Sequence, residues 1–129
     1  MNTKEKFINF EYKLIYENNK VDLYFLKNNF WQKIGCLIFE FTNYVFMGKS
    51  NDYCNLINMH VLEEHQNKKL GHSMFKCLLE NLPENIYAVI CNHEKILNKI
   101  QVPKIFQKHK PITVGKYELI LNKNYKHLS

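Results

Sequence analysis

The chain has 129 residues, which suits a single domain spanning 1–129 with a hydrophobic core of its own. Hydrophobic residues make up 46% of it and aromatic residues 14%, so a disordered chain is excluded. The net charge is +6, and all 18 basic residues are lysines. Lysine supplies point charges without the planar fork of arginine, so the charge indicates an acidic partner or solubility alone, and not sequence-specific reading of DNA.

The chain shows no signs of a membrane, secreted or metal-binding protein. No apolar run approaches the roughly 18 residues of a membrane span, and the first residues lack the apolar core of a signal peptide. The four cysteines form no CxxC pair, and no HExxH motif occurs. We therefore expect buried free thiols, a cytoplasmic protein, no membrane contact and no metal.

The first fifty residues predict antiparallel strands and no amphipathic helix. Residues 10–16 and 21–26 alternate on either side of an Asn-Asn turn, which is a hairpin pattern. Residues 33–41 read as a long and largely buried strand, which residues 44–47 either continue or pair with. Residues 48–52 are rich in turn formers and predict a loop.

The pattern changes from a strand to a helix in the middle of the chain. Residues 56–62 alternate, with Ile57, Met59 and Val61 on one side, which is the period of a strand. From residue 70 to residue 82 the apolar residues recur three and four apart, and the spacing predicts an amphipathic helix. The helix carries the apolar residues Leu70, Met74, Phe75, Cys77, Leu78, Leu79 and Leu82.

The turn between this strand and this helix has the composition of an anion site. The start of a helix presents backbone N–H groups without intrahelical partners, and its dipole attracts phosphate. Lys68 and Lys69 would add two charges there, and Gly71 would let the backbone approach a ligand closely. The alternative is an ordinary strand–turn–helix with an exposed, lysine-rich turn.

The remaining chain completes a mixed sheet. Residues 86–91 are apolar throughout, as in a parallel strand that is buried on both faces, and they close a βαβ unit. Residues 92–101 predict a short helix that is interrupted at Val102 and Pro103, and residues 104–109 a further helical turn. Residues 117–121 predict a last strand. The fold class is α+β: a mostly antiparallel sheet with parallel strands near 55–62 and 86–91 and flanking helices.

The central stretch resembles the acetyl-CoA-binding motif of the GCN5-related N-acetyltransferase (GNAT) superfamily. In that motif an apolar strand and a Val-x-Pro-Glu-like turn lead into (Gln/Arg)-x-x-Gly-x-(Gly/Ala) and an amphipathic helix. Val61 and Glu64 match the turn, Gln66 takes the Gln/Arg position and Gly71 the final Gly/Ala. Lys69 replaces the first glycine, and a side chain there demands an unusual backbone angle.

The resemblance implies acetyl-CoA as the acetyl donor and a primary amine as the acceptor, on a protein lysine, an aminoacyl-tRNA or a small molecule. It also implies that the two parallel strands splay apart and hold the pantetheine arm between them. The residues implied to bind the cofactor are Met59, Val61, Gln66, Asn67, Lys68, Lys69, Leu70, Gly71 and His72.

Three residues are candidates for the proton transfers that acetyl transfer needs. His60 has a suitable side chain for a base, with a hydrogen-bonded sheet histidine as the alternative. Glu64 is the second candidate, although turn glutamates more often serve as acids at a helix start. The superfamily's frequent acid is a tyrosine near a Gly-Phe pair, and the region around Phe106 has neither, so Tyr117 is the nearest phenol.

Two other functions stay open at this point. The first is a catalytically silent member of the same fold, of viral or mobile-element origin, that binds a protein or a nucleic acid. The second is an unrelated basic α+β protein that acts through its surface charge. The lysine at the first motif glycine and the missing tyrosine favour the silent member.

Overall fold

A computed structural model describes residues 3–92, 101–115 and 117–126. These residues form one mixed eight-stranded sheet in the order β1-β2-β3-β4-β5-β6-β8-β7, together with two α-helices. The strands are β1 (Lys4–Phe7), β2 (Tyr12–Glu17), β3 (Lys20–Lys27), β4 (Phe30–Phe46), β5 (Lys49–Val61), β6 (Ile86–Asn92), β7 (Ile112–Val114) and β8 (Tyr117–Leu121). The helices are α1 (Leu70–Asn81) and α2 (Gln101–Gln107). The predicted α+β class is confirmed.

Antiparallel strands fill the first part of the chain, as the alternation predicts. The hairpin of β2 and β3 is confirmed, and Glu17 pairs with Lys20 across its two-residue turn. β1 was missed, because its side chains are all exposed and its sequence has no apolar alternation. In the described residues before β5 the chain forms strands and turns and no helix.

The hairpin of β4 and β5 is longer than the sequence suggests. β4 continues through residues 44–46 instead of pairing back on itself there, and its seventeen residues end at Phe46. The predicted loop at 48–52 is wrong, because the turn consists of Met47 and Gly48 alone, with φ angles of 50° and 81°. Two consecutive positive φ angles are typical of a tight hairpin turn, so the polar residues that follow are free to pair with β4.

The predicted βαβ unit is present and organises the core. β5 and β6 are parallel, every other strand pair is antiparallel, and α1 connects the two parallel strands. α1 buries the apolar face that the spacing predicts, and this face packs against alternate residues of the sheet. Its buried residues are Leu70, Met74, Phe75, Cys77 and Leu78.

A second, smaller cluster lies on the other face of β5 and β6, since neighbouring residues of a strand point to opposite faces. Tyr53, Ala88, Ile90 and Leu119 form its buried centre. Three partly buried tyrosines, one phenylalanine and one valine pack around them, namely Tyr44, Tyr87, Tyr117, Phe46 and Val114. β8 supplies Leu119, and the strand predicted at 117–121 is confirmed.

The chain after β6 departs from the prediction at Pro103. The helix predicted at 92–101 lies mostly outside the described residues, and Asn92 itself belongs to β6. The interruption predicted at Val102 and Pro103 is wrong, because α2 runs through both residues. None of the helices in the described residues is long and apolar enough to span a membrane.

Candidate functional site

The loop from β5 to α1 contains two residues with left-handed backbone conformations. A single 3-10 turn, Glu63–His65, follows the strand. Asn67 and Lys69 then adopt φ angles of 67° and 60°. The expectation that Lys69 needs an unusual backbone angle is therefore confirmed. Such a conformation costs an L-residue roughly 1–2 kcal/mol, so the surrounding turn must fix it.

The start of α1 offers backbone amides without protein partners. Lys69 is the N-cap residue and makes no side-chain capping hydrogen bond. The amide of Ser73 donates to the Lys69 carbonyl at 3.1 Å. In the described part of the chain, the amides of residues 67–72 donate no hydrogen bond. Free amides at the positive end of a helix dipole form a site for an anion.

A cavity of about 440 Å³ opens beside these amides. Its wall comes from the end of β5, the loop, the first turn of α1 and one side of α2. The lining residues are Val61, His65, Gln66, Asn67, Lys69, Leu70, Gly71, His72, Lys104, Ile105 and Lys108. All the residues predicted to bind the cofactor are on this wall except Met59 and Lys68.

The cavity wall is strongly basic. Lys69, Lys104 and Lys108 contribute three ammonium groups, and among the described residues no carboxylate lines the cavity. Sequence reasoning missed Lys104 and Lys108. Their spacing of four residues places both on one side of a helix, but only the packing of α2 beside α1 shows that this side faces the anion site.

Gly71 lies where α1 comes closest to the sheet. A Cβ atom at this position would lie 3.1 Å from Ile105 Cδ1 and 3.1 Å from Met59 Cε. Met59 is buried beneath the first turn of α1, and its side chain supports the cavity from below without lining it. The bond between the Met59 backbone and a pantetheine arm stays a prediction.

Lys68 contacts Tyr12 and is not among the residues that line the cavity. Its Nζ donates to the Tyr12 hydroxyl at 3.2 Å and lies 5.8 Å from the centroid of that ring. The Tyr12 hydroxyl in turn contacts Nδ1 of His65 at 2.9 Å. The binding of the cofactor by Lys68 stays a prediction. Gln66 is also anchored, and its Nε2 donates to the Val61 carbonyl at 2.9 Å.

The described pairing of the two parallel strands ends before the cavity. It runs from Asp52 and Ile86 to Asn55 and Ile90. β5 continues to Val61, which lines the cavity, and within the described residues this segment is in register with β4. The splayed strands implied by the resemblance stay a prediction, because the residues that follow Asn92 lie outside the described part of the chain.

β5 carries a bulge in the segment that leads to the cavity. Its register with β4 shifts between Ile38 and Phe39, so Ile57 is an extra residue without a partner on β4. Met59 and Val61 join the core from one side, as the alternation predicts, whereas Ile57 is only half-buried at the bulge and its side stays a prediction. A bulge also leaves backbone groups outside the ladder.

The three candidate catalytic residues are not brought together on the cavity wall. His60 is exposed on β5 and faces Cys36 across the β4–β5 ladder. Glu64 is exposed in the 3-10 turn. Both therefore lie at the same end of β5 as the cavity, without lining it.

Tyr117 lies in the second cluster. Its ring centroid is 6.4 Å from that of Tyr44 and 5.7 Å from that of Phe46, on the sheet face opposite α1. The structure thus separates Tyr117 from the cavity wall, because β8 pairs with β6 and turns this residue towards the β4–β5 hairpin.

Two histidines stack beside the cavity, and one of them, His72, lines it. The rings of His72 and His109 have centroids 5.4 Å apart and planes 17° from parallel. Burial lowers the pKa of His109 below its usual range, and the nearby His72 and Lys123 lower it further. Nδ1 of His72 and Nε2 of His109 are buried and have no hydrogen-bond partner among the described residues.

The remaining titratable groups show no redox or metal chemistry in the described residues. All four cysteines are free and buried, as expected. Burial raises the pKa of Cys36 to about 11 and that of Cys91 to about 12, so these thiols stay protonated and unreactive. Among the residues that the structure describes, no three His, Cys, Asp or Glu side chains converge on a metal position.

Comparisons with known proteins agree on the fold. No protein-family profile and no curated sequence matches the chain. Among solved structures, a chain of the KacTA–DNA complex is 9% identical, with a TM-score of 0.63 over 84% of this chain and 71% of that one. The AtaT toxin bound to the C-terminus of the antitoxin AtaR is 13% identical, with a TM-score of 0.61 over 85% of this chain and 69% of that one.

A third neighbour comes from a plant. Arabidopsis thaliana NAA60 in complex with a bisubstrate analogue is 7% identical, with a TM-score of 0.58 over 82% of this chain and 77% of that one. These neighbours are GNAT acetyltransferases, and the chain has the fold of that superfamily. Identities this low establish the fold and leave the reaction to be argued from the site.

Proposed function

We propose that this protein is an acetyl-CoA-dependent N-acetyltransferase that acts on a primary amine. The observation that carries the proposal is the cavity at one end of β5. It combines unpartnered amides of residues 67–72 with three lysines. Both features suit the phosphate groups of acetyl-CoA, and the pantetheine arm is proposed to lie between β5 and β6.

The phosphate groups are proposed to bind at the start of α1. The free amides and the Lys69 ammonium would hold the diphosphate, and Lys104 in α2 and Lys108 just after it would neutralise its remaining charge. Gly71 keeps the first turn of α1 close to the ligand. The pantetheine arm would then run along the segment of β5 that leads to the cavity, near Met59 and Val61.

The chemistry needs few side chains. Bound acetyl-CoA supplies an acyl group that is already activated as a thioester. The protein would place the amine beside it, which alone can provide much of the rate, and take up the proton that the ammonium loses. We propose His60 for that proton, because it is exposed at the cavity end of β5, with Glu64 and Tyr117 as the other candidates.

The acceptor is proposed to be an amine on a protein, an aminoacyl-tRNA or a small molecule. Among the structural neighbours, AtaT has been solved with acetyl-CoA, and also with acetyl-methionyl-tRNAfMet. The net charge of +6 would favour an acceptor that carries negative charge elsewhere in its structure.

Calorimetry with acetyl-CoA tests the donor, and transfer of labelled acetyl groups to a panel of amines tests the reaction. We expect binding in the micromolar range and transfer to at least one amine class. The absence of binding at high micromolar acetyl-CoA would overturn the proposal. Binding without transfer would instead favour the silent member of the fold, for which Lys69 in place of a motif glycine is the structural argument.

A further inference from the structure

We propose that His65 binds a phosphate group of the ligand through Nε2–H, and that Tyr12 and Lys68 fix the tautomer that makes this possible. The identity of the ligand as acetyl-CoA rests on the proposed function. The role of His65 as a phosphate donor rests on the geometry of this loop alone.

His65 is held from one side and open on the other. Its side chain packs against Phe25 and Tyr12, with ring centroids 4.6 Å and 5.7 Å away. The residue is only 9% exposed, yet it lines the basic cavity. The centroids of Tyr12 and Phe25 are themselves 5.1 Å apart, so the three rings form a triangular cluster that fixes the imidazole from one side.

Counting hydrogens assigns the tautomer. The Lys68 ammonium has only donors, so the Tyr12 oxygen must accept from it at 3.2 Å. Tyr12 is 5% exposed, and in the described residues its hydroxyl has two polar neighbours, Lys68 Nζ and His65 Nδ1. The hydroxyl hydrogen therefore goes to Nδ1 at 2.9 Å. A neutral imidazole with an accepting Nδ1 carries its hydrogen on Nε2.

The Nε2–H group is available to donate a hydrogen bond to a phosphate oxygen in the cavity. No other described residue makes a hydrogen bond with Nε2 of His65. His65 lies two residues before Asn67, the first residue with an unpartnered amide, and it shares the cavity wall with Lys69. Lys68 acts through Tyr12 and is a positioning residue, whose charge also polarises the hydroxyl.

Inorganic pyrophosphate and CoA are the probes for the binding test by calorimetry. Tyr12→Phe keeps the ring and removes the hydroxyl, and His65→Asn removes the Nε2 position. We expect Tyr12→Phe to weaken both ligands about fivefold and His65→Asn about tenfold, in line with the loss of one hydrogen bond to a charged group. Tyr16→Phe is the matched control, because Tyr16 is buried on the same strand and belongs to the core instead of the cavity.

Nitrogen NMR of the His65 ring separates positioning from simple packing. We expect the hydrogen on Nε2 in the wild-type protein and a mixture of tautomers in Tyr12→Phe. A hydrogen on Nδ1 in the wild type, or a Tyr12→Phe variant that binds pyrophosphate as tightly as Tyr16→Phe, would overturn the inference. Pyrophosphate binding that depends on Tyr12, without acetyl transfer to any amine, would uphold it and reject only the proposed enzyme.

Discussion

The two halves of β5 show how one strand serves two purposes. From Asp52 to Asn55 the strand is paired on both sides, with β4 and with β6. From there to Val61 the described pairing is with β4 alone, and the strand carries a bulge. The first half is enclosed by side chains on both faces, whereas the second half leads into a basic cavity.

The difference teaches where a sheet protein can place a binding site. A strand that is paired on both sides satisfies its backbone within the sheet and contributes mainly to stability. A strand that lacks one neighbour has backbone polar groups available to a ligand, which is the arrangement proposed for the second half of β5. Variants in the two halves should therefore affect different quantities.

The largest effect is expected in the doubly paired half. Ile90 is fully buried on β6 and pairs with Asn55. Ile90→Ala should lower the free energy of unfolding by about 2–5 kcal/mol, because it leaves a cavity in the core. The affinity of the folded protein for CoA should change less than twofold. Urea denaturation and calorimetry measure the two quantities, and a tenfold loss of affinity would contradict the division between the halves.

The next effect is expected at the start of α1. Gly71→Leu should abolish CoA binding while the fold persists, because the added side chain meets Met59 and Ile105 and pushes into the cavity. Gly71→Ala is the matched control and should retain most of the affinity, since its contacts are the flexible ends of side chains. Unchanged CoA affinity in Gly71→Leu would show that the ligand binds elsewhere.

A smaller effect is expected from Lys104 in α2 and Lys108 just after it. The double variant Lys104→Met and Lys108→Met should weaken CoA about tenfold, and its affinity should depend less on salt. Lys76→Met is the control, because Lys76 is exposed on α1 and does not line the cavity. Titrations at two salt concentrations test this, and an equal loss in both variants would point to net charge as the cause.

The smallest effect concerns pH. His109 has a folded pKa below the unfolded value of 6.5, so the unfolded chain binds more protons as the solution turns acidic. Its contribution to stability is therefore fully present above pH 6.5 and is lost as the pH falls from that value through the lower folded pKa. His109→Gln should make the melting temperature less dependent on pH between 7 and 5. An unchanged slope would assign the acid sensitivity to other groups.

Periodicity predicted most of the fold. The hairpin of β2 and β3, the amphipathic face of α1 and the parallel strand β6 follow from local alternation and spacing, which depend on near neighbours. The loop at 48–52 was misread because composition does not reveal that a two-residue turn is enough. The bulge at Ile57 depends on pairing with β4, which no local pattern encodes.

The sequence predicted the loop of the candidate site but not the residues that reach the cavity from other elements. The motif located the loop and Gly71, because a family pattern records backbone geometry. It did not find His65, Lys104 or Lys108, since these reach the cavity through tertiary packing. Tyr117 was chosen for its chemistry and the lack of a nearer phenol, and the topology of β8 places it in the aromatic cluster.

The left-handed conformation of Lys69 has a consequence for the entropy of ligand binding. A glycine at this position would populate many backbone conformations in the free protein, and binding a ligand would cost the entropy of restricting them to one. Lysine has fewer accessible backbone conformations than glycine, so the loop is already formed before a ligand binds and the entropic penalty of association is small. The backbone of this turn should therefore have the same conformation in crystal structures determined with and without CoA.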